Sequence, residues 1–308
     1  MRLKKNRFSL AAYVIGILII ITLILGAVVA SFYHETRIDI NKAYAPLKTS
    51  PKVEKTNSYL KEKKPISFLI MGLDSRQNDL SGRTDALMVV TISPANKQTT
   101  MISIPRDTLI GDENQSTSAL NKINAMYEQG GVASSINAVS DLVSTRIDHY
   151  IAIDFEALEK MIDSLGGISI TSNIAFKIDG LEFYQGVNVL NGKEALAYTR
   201  MRYDDPQGAY GRDKRQQQVI EAVMKKTKSF KSIGAYLGII DALGENMKTD
   251  LNWGQVKILL MNYGRNFGNV VHDSLQGESK TINNLSFQII PDNEKERIHN
   301  ILQEQLTE

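Results

Sequence analysis

The chain has 308 residues, and 36 Lys plus Arg against 34 Asp plus Glu leave a formal net charge of +2 at pH 7. This near balance gives no support for binding nucleic acid or another bulk polyanion, so any basic surface must be local. The chain has no cysteine, which excludes disulfides, so a domain outside the cell would be held together by its core alone.

An uncharged apolar segment occupies residues 11–32. About 22 residues is the length that a helix needs to cross a bilayer core, so the segment is predicted to be a transmembrane helix. Residues 1–10 contain four basic residues and no acidic one, which predicts a cytoplasmic tail with the rest of the chain outside the membrane. The alternative is a cleavable signal peptide ending at 28–30, although the apolar segment is longer than the usual roughly 7 to 15 residues. We therefore predict a single-pass protein of the cell membrane.

Residues 33–64 are rich in Lys, Glu, Thr and Ser, and Pro46 and Pro51 interrupt any regular pattern, as is typical of a juxtamembrane linker. Residues 65–308 show no repeat with a period of roughly 20 to 50 residues, so they suit one extracytoplasmic domain. A single globular core is expected for this domain.

Three apolar runs open the domain and have the pattern of strands, at residues 66–71, 86–92 and 100–104. The connection at 93–99 is far too short for a parallel crossover, so the second and third strands should be antiparallel neighbours, and the same argument applies to the first two. In such an up-down-up meander, the residues after the first strand, before the second and after the third lie at one edge of the sheet.

Charged residues occupy these three positions: Asp74, Asp85 and Arg106. Arginine binds phosphate oxygens with a planar, permanently charged fork, whereas paired carboxylates suit a hard divalent cation. Together the three residues predict a site for a pyrophosphate and a metal ion. Taken singly, a pair such as Arg106 with Asp107 would more often be a surface or structural ion pair.

Helical and strand patterns alternate through the middle of the chain. In order they are a helix at 132–145, a strand at 149–154, a helix at 155–165, a strand at 168–171 and a short helix at 192–198 with Asn191 as its N-cap. The alternation predicts an α/β fold, with a central mixed β-sheet covered by helices on both faces.

A second group of polar residues follows the short helix. An extended chain there would direct Arg200 and Arg202 to the same side, because side chains alternate in a strand. The next helix, at 213–230, has an apolar stripe, and Arg212 and Gln216 continue this stripe toward the N-terminus of the helix. A polar start to a buried stripe indicates that the helix enters a cleft, where its N-terminus would favour an anion. Residues 213–215, Asp-Lys-Arg, are equally compatible with a solvated first turn.

The C-terminal part of the chain carries no chemical constellation. Helices are predicted at 235–247, 253–263 and 294–305, and a strand at 285–290. The four histidines are scattered, so no histidine-based zinc site or catalytic triad is indicated.

Eight stretches in one order resemble the LytR-CpsA-Psr family of cell-wall glycopolymer transferases. They run from about Ser67 to Thr227 and are FLIMGLDSR, GRTDALMVV, SIPRDT, KINAMYEQGG, DHYIAIDF, DSLGG, LNGKEALAYTRMR and YGRDKRQQQVI. The resemblance implies the α/β domain of that family, preceded by one transmembrane helix. It also implies a polyprenyl-pyrophosphate-linked glycan as substrate and peptidoglycan as acceptor.

Carried over by position, the resemblance implies that Asp74 and Asp85 hold Mg²⁺, or Mn²⁺, beside the pyrophosphate. It implies that the pyrophosphate is bound by Arg106, Arg200, Arg202, Arg212 and Gln216, with Lys122 as a further candidate. Relatives commonly have an Asp in a Gly-Asp-aromatic-Gly-Arg stretch where this chain has Ala209. The resemblance therefore leaves the partner that orients Arg212 undefined.

The residues and the resemblance agree on phosphoryl transfer, with Asp74, Asp85 and Arg106 as the predicted catalytic residues. An acceptor hydroxyl attacks the phosphorus next to the polymer, such as wall teichoic acid or capsular polysaccharide, and polyprenyl phosphate leaves. The prenyl chain calls for an apolar tunnel beside the site. Two alternatives stay open: hydrolysis of the lipid pyrophosphate by water, and a non-catalytic receptor or attenuator that binds lipid-linked glycans. For a receptor that attenuates transcription, a cytoplasmic tail of about ten residues is too short to form a DNA-binding domain.

Overall fold

The computed structural model of the protein describes residues 43–48, 53–75, 80–112, 117–202, 205–228 and 246–307. The predicted tail and transmembrane helix at 1–32 lie outside these residues, as does most of the predicted helix at 235–247. No helix within the described ranges is long and apolar enough to cross a membrane.

In chain order, the described residues form seven α-helices and twelve β-strands. They are α1 (Val53–Glu62), β1 (Ile66–Leu73), β2 (Thr84–Ser93), β3 (Gln98–Ser103), α2 (Ala125–Val143), β4 (His149–Asp154), α3 (Phe155–Ser164), β5 (Ile168–Ser172), β6 (Phe176–Ile178), β7 (Leu181–Phe183), β8 (Gly186–Leu190), α4 (Gly192–Arg200), α5 (Gly208–Lys228), β9 (Met247–Thr249), α6 (Trp253–Tyr263), β10 (Val270–Ser274), β11 (Glu278–Ile282), β12 (Leu285–Ile289) and α7 (Asp292–Leu306).

Six of the described strands form a mixed sheet in the order β10-β3-β2-β1-β4-β9. Strand β2 is antiparallel to both β1 and β3, as the short connections predicted. Strand β4 runs parallel to β1 and β10 parallel to β3, whereas β9 is antiparallel to β4. The meander at the centre therefore has the strand directions on which the predicted edge depends.

Helices cover both faces of this sheet. On one face α2 and α7 close a core that includes Leu69, Val89, Ile102, Val139 and Leu302. On the other face α1 and α6 pack over Phe68, Val90 and Met101, together with Leu60 and Tyr263. Successive residues of β1 enter opposite cores, as expected for a strand buried on both sides. The predicted mixed sheet between helices is confirmed.

A third core lies beside the sheet, among α3, α4, α5 and the ribbons β5–β8 and β6–β7. The rings of Phe176, Phe183 and Tyr198 meet in it, with centroids 4.7 to 5.6 Å apart. Aromatic clusters of this kind bury a large apolar area. This core therefore supports α4 and α5 where they approach the sheet edge.

The range 33–64, predicted to be a linker, contains a packed helix. Leu60 of α1 is fully buried, and the Tyr263 hydroxyl donates to the carbonyl of Lys64 over 2.7 Å. The amide of Ala45 also donates to the carbonyl of Thr249 in β9 over 2.8 Å. The domain thus extends before residue 65, because the sheet face under α1 needs an apolar cover.

Helix boundaries near the site differ from the predicted ones. Asn191 caps α4 as predicted, with its Oδ1 accepting from the Glu194 amide over 2.9 Å, but the helix continues to Arg200. Helix α5 begins at Gly208, so Arg212 and Gln216 lie beyond its first turn and not at an anion-binding end.

Other boundaries also differ from the predicted ones. Helix α2 begins at Ala125, before the predicted 132, and bends where Gly131 has a φ of 63°. The predicted helix at 253–263 is confirmed, whereas Met247 lies in a strand and not in a helix. Strand β12 and helix α7 lie within two residues of their predicted ranges.

Candidate active site

The site lies at the sheet edge where β1 and β3 end and β2 begins. Leu73 pairs with Thr84, and the amide of Asp74 donates to the carbonyl of Arg83 over 3.2 Å. Backbone pairing therefore places Asp74, just past the end of β1, beside the start of β2, which carries Asp85. Asp74 is exposed, whereas the side chain of Asp85 is 27% exposed. The predicted common edge is confirmed, although their chemical roles stay predictions.

Arg106 joins this edge through an ion pair. Its Nη1 donates to Oδ1 of Asp85 over 2.5 Å, and its Nε lies 3.8 Å from Oδ2 of Asp107. Burial lowers the pKa of Arg106, but the charges of Asp85, Asp107 and Asp213 outweigh burial and raise it above the usual value. Lys122 continues the chain of charges, since its Nζ donates to Oδ1 of Asp107 over 2.7 Å. Cations and carboxylates therefore alternate along the edge.

Strand β12 holds the loop that carries these charges. The amide of Gln288 donates to the carbonyl of Asp107 over 2.9 Å, and the amide of Leu109 donates back to Gln288 over 3.0 Å. The ring of Phe287 lies 5.3 Å from Nζ of Lys122, within the range of a cation–π interaction. Sequence reasoning missed this support, because β12 has no charged residue.

Arg212 enters the site from α5. Its side chain is 8% exposed, and its Nη2 donates to Oδ1 of Asp213 over 3.4 Å. Burial lowers the pKa of Arg212, and the charges of Arg106 and Arg202 lower it further against the opposing carboxylates of Asp213 and Asp85. Residues predicted from four separate stretches of sequence are therefore within electrostatic reach of one another.

The alternative of a solvated first turn at 213–215 is wrong for two of the three residues. Asp213 and Arg215 are each 4% exposed, whereas Lys214 is exposed as predicted. Burial raises the pKa of Asp213 to about 6 against the lowering effect of Arg212. Because the helix begins earlier than predicted, these residues face the interior.

Arg215 links Met201, which follows α4, to Asp205, which precedes α5. It is paired with Asp205, and its Nη2 donates to the carbonyl of Met201 over 2.5 Å. Its guanidinium also lies 5.7 Å from the ring centroid of Phe176. A Cβ at Gly211 would lie 1.7 Å from Asp205 Oδ2, so the Asp205 side chain would have to leave its present position if Gly211 were replaced.

Arg200 reaches the same edge by a different route. Its guanidinium carbon lies 4.6 Å from the ring centroid of Phe155, the residue that follows β4. Asp154, the last residue of β4, pairs with Leu73 at the end of β1. The end of α4 therefore lies beside the strand end that precedes Asp74.

Fewer contacts define the positions of Arg202 and Gln216. Met201 is 2% exposed between the exposed Arg200 and Arg202, but Arg200 is the last residue of α4 and not part of an extended chain, so the same-side arrangement of the two arginines stays a prediction. Gln216 is half-buried, and its neighbour Gln217 ties α5 to the sheet. Nε2 of Gln217 donates to the carbonyl of Asp273 in β10 over 2.7 Å.

Asp74 and Asp85 have the chemistry of a magnesium site. Within the described ranges, no group of three or more His, Asp or Glu is placed to hold a metal. Mg²⁺ commonly takes one or two carboxylates and completes its coordination with water and substrate phosphate oxygens. Two carboxylates at the adjoining ends of neighbouring strands, beside the arginines, therefore fit a metal that binds together with a phosphate.

Comparison with known proteins identifies the family. The model of the LytR_cpsA_psr family matches residues 30–304. The chain belongs to this family. A polyisoprenyl-teichoic acid–peptidoglycan teichoic acid transferase TagU from Enterococcus faecalis is 34% identical over 297 residues, 96% of each chain. The protein of the same name from Halalkalibacterium halodurans is 36% identical over 94% of this chain and 98% of its own.

Solved structures of the family have the same fold. The crystal structure of Bacillus subtilis TagV is 32% identical, with a TM-score of 0.68 over 79% of this chain and 98% of that one. A structure of TagT bound to LI-WTA is 25% identical, with a TM-score of 0.65 over 80% and 92%. The central mixed sheet with helices is therefore that of LytR-CpsA-Psr proteins.

Proposed function

We propose that this protein moves an anionic glycopolymer, wall teichoic acid or a capsular polysaccharide, from polyprenyl pyrophosphate to peptidoglycan and releases polyprenyl phosphate. The observation that carries the proposal is the convergence of Asp85, Arg106, Lys122 and Arg212 beside the exposed Asp74. The relatives named as teichoic acid transferases support the polymer and the acceptor, and the TagT structure bound to LI-WTA supports a polymer-bound state.

In this reaction an acceptor sugar hydroxyl forms a bond to the phosphorus that carries the polymer. The bond from that phosphorus to the bridging oxygen breaks, and its electron pair leaves with polyprenyl phosphate. The hydroxyl proton passes to the carboxylate of Asp74 or Asp85. Atoms and charge balance without any further reactant.

The cationic side chains bind and stabilise the pyrophosphate. Arg106 is placed to contact the oxygens on which negative charge increases, and its pairing with Asp85 fixes its direction. The other predicted contacts with the pyrophosphate come from Lys122, Arg200, Arg202, Arg212 and Gln216. Asp74 and Asp85 would hold Mg²⁺ or Mn²⁺, which when bound neutralises charge on the pyrophosphate.

The proposed reaction takes place at the outer face of the cell membrane. Residues 11–32 would anchor the chain there, and the prenyl chain of the substrate would enter an apolar tunnel beside the site. An anchor raises the local concentration of a substrate that is itself confined to the membrane. The proposal involves membrane lipid and no nucleic acid.

The proposal is tested with the full-length protein in detergent, a synthetic polyprenyl-pyrophosphate sugar, peptidoglycan oligomers and Mg²⁺. Sugar phosphate attached to the glycan is the expected product. Free sugar phosphate would instead identify a hydrolase, and tight binding without turnover would identify a receptor.

Two substitutions test the site within the same assay. Asp85→Ala and Arg106→Ala are expected to abolish most of the transfer, whereas the exposed Lys214→Ala on α5 serves as the matched control and leaves it unchanged. If both Asp85→Ala and Arg106→Ala kept full turnover, the assignment of the site would be wrong.

A further inference from the structure

Asp213 is a buried carboxylate that the proposed mechanism does not use. Its side chain is 5% exposed, and its Oδ1 accepts from Nη2 of Arg212 over 3.4 Å. Its Oδ2 is buried without a hydrogen-bond partner. A buried carboxylate oxygen of this kind costs free energy unless a charge or a proton compensates it.

The pair formed by Arg212 and Asp213 is loose. Consecutive residues of a helix do not face each other, and a charge-assisted hydrogen bond is normally about 2.7 to 2.9 Å long. Nε of Arg212 is also buried without a hydrogen-bond partner. The guanidinium therefore keeps N–H groups that can turn to phosphate oxygens, and Asp213 holds it only weakly.

Charges from two elements face Asp213. Arg212 approaches it from α5 itself, and Arg106 and Asp107 approach it from the loop after β3, while the Tyr210 hydroxyl lies within its field. Burial raises the pKa of Asp213 to about 6, Arg212 and Arg106 lower it, and Asp107 raises it. The carboxyl can therefore exchange a proton near neutral pH.

We propose that Asp213 is a positioning residue that neutralises Arg212 before substrate arrives and takes up a proton from solvent when a pyrophosphate binds. The inference rests on the proposed function, because it concerns the same arginines. The negative charge of a bound pyrophosphate lies beside Arg106 and Arg212. These arginines then stabilise the ionised carboxylate of Asp213 less, so its affinity for a proton rises. Binding consequently becomes tighter as pH falls from about 7.5 to about 6.

Isothermal titration calorimetry on the full-length protein in detergent measures this proton directly. The probe is geranyl-pyrophosphoryl-N-acetylglucosamine at constant Mg²⁺; both its phosphates are esterified, so it has no ionisation of its own near pH 6. Titrations at pH 6.5 in two buffers with different ionisation enthalpies give the number of protons taken up. If the pKa of Asp213 rises by one unit on binding, the uptake is about half a proton.

Asp213→Asn keeps the shape of the side chain and removes its titration. The variant is expected to lose the proton uptake and to bind the probe at pH 7.5 up to roughly tenfold more tightly than the unsubstituted protein. Asp141→Asn, which removes an exposed carboxylate from α2, is the matched control and leaves both quantities unchanged.

The unsubstituted protein alone can overturn the inference, so it does not depend on the folding of a variant. Probe binding without a buffer-dependent heat would overturn the inference and leave the proposed function standing. Uptake that persists in Asp213→Asn, or weaker binding by that variant at every pH, would overturn it too. Failure of the unsubstituted protein to bind the probe would overturn the proposed function together with the inference.

Discussion

Two arginines of the site are held in opposite ways. Arg106 lies on the loop after β3 with its side chain 26% exposed, and the close carboxylate of Asp85 and the more distant one of Asp107 raise its pKa. Arg212 lies within α5 with its side chain 8% exposed, and burial lowers its pKa although Asp213 is adjacent. One arginine is held by ion pairs at the surface, and the other by the surrounding protein.

The difference shows how one site can combine a fixed charge with an adjustable one. The ion pair of Arg106 and Asp85 sets its direction before substrate binds. The loose pair of Arg212 and Asp213 leaves N–H groups available and a carboxyl that titrates near neutral pH. The two regions should therefore respond differently to substitution and to pH.

Removal of Arg106, the fixed charge, is expected to have the largest effect, which is on the rate of transfer. Arg106→Ala should lower kcat by roughly 10² to 10³, because a donor aimed at developing negative charge is lost. Steady-state transfer assays check this, with Lys214→Ala as the control from α5. A loss confined to KM would show that Arg106 contributes only ground-state binding.

The pair of Arg212 and Asp213 is expected to have a smaller effect, which is on the stability of the protein. Asp213 has a pKa of about 6 in the folded protein, and an unfolded Asp has about 3.9. The folded state thus binds more protons between about pH 4 and 6, so this residue makes stability fall as pH rises through that window. Asp213→Asn should therefore raise the free energy of unfolding at pH 7.5 by about 1 to 3 kcal/mol and by almost nothing below pH 4.

Urea unfolding of the unsubstituted protein and of Asp213→Asn at pH 4 and pH 7.5 tests this difference. Asp141→Asn controls for the loss of one negative charge. Equal stabilisation of Asp213→Asn at pH 4 and pH 7.5 would contradict the raised pKa.

The smallest effect concerns the link between the two regions. The Tyr210 hydroxyl of α5 accepts from the amide of Gly277 over 2.8 Å and lies 3.3 Å from Oε1 of Gln288, whose backbone holds the loop of Arg106. Tyr210→Phe should lower the free energy of unfolding by about 1 kcal/mol. Thermal unfolding measures it against Tyr184→Phe, which alters an exposed side chain. No difference between the two variants would remove this link from the account.

The sequence predicted the meander and its edge because strand direction follows from short connections, which are local. It therefore brought Asp74, Asp85 and Arg106 together correctly. The support from Gln288 and Phe287 could not be predicted, because it depends on β12 pairing with a loop far away in the chain. The burial of Arg215 was also missed, since the start of α5 depends on packing; Gly211, four residues before it, was the available signal of a close approach.

The most direct test is a structure of the protein with a short-chain prenyl-pyrophosphate sugar and Mg²⁺. The pyrophosphate is expected at the sheet edge, in contact with Arg106 and Arg212, with the metal ion on Asp74 and Asp85. A pyrophosphate bound away from this edge, with the ion pair of Arg106 and Asp85 undisturbed, would contradict this expectation.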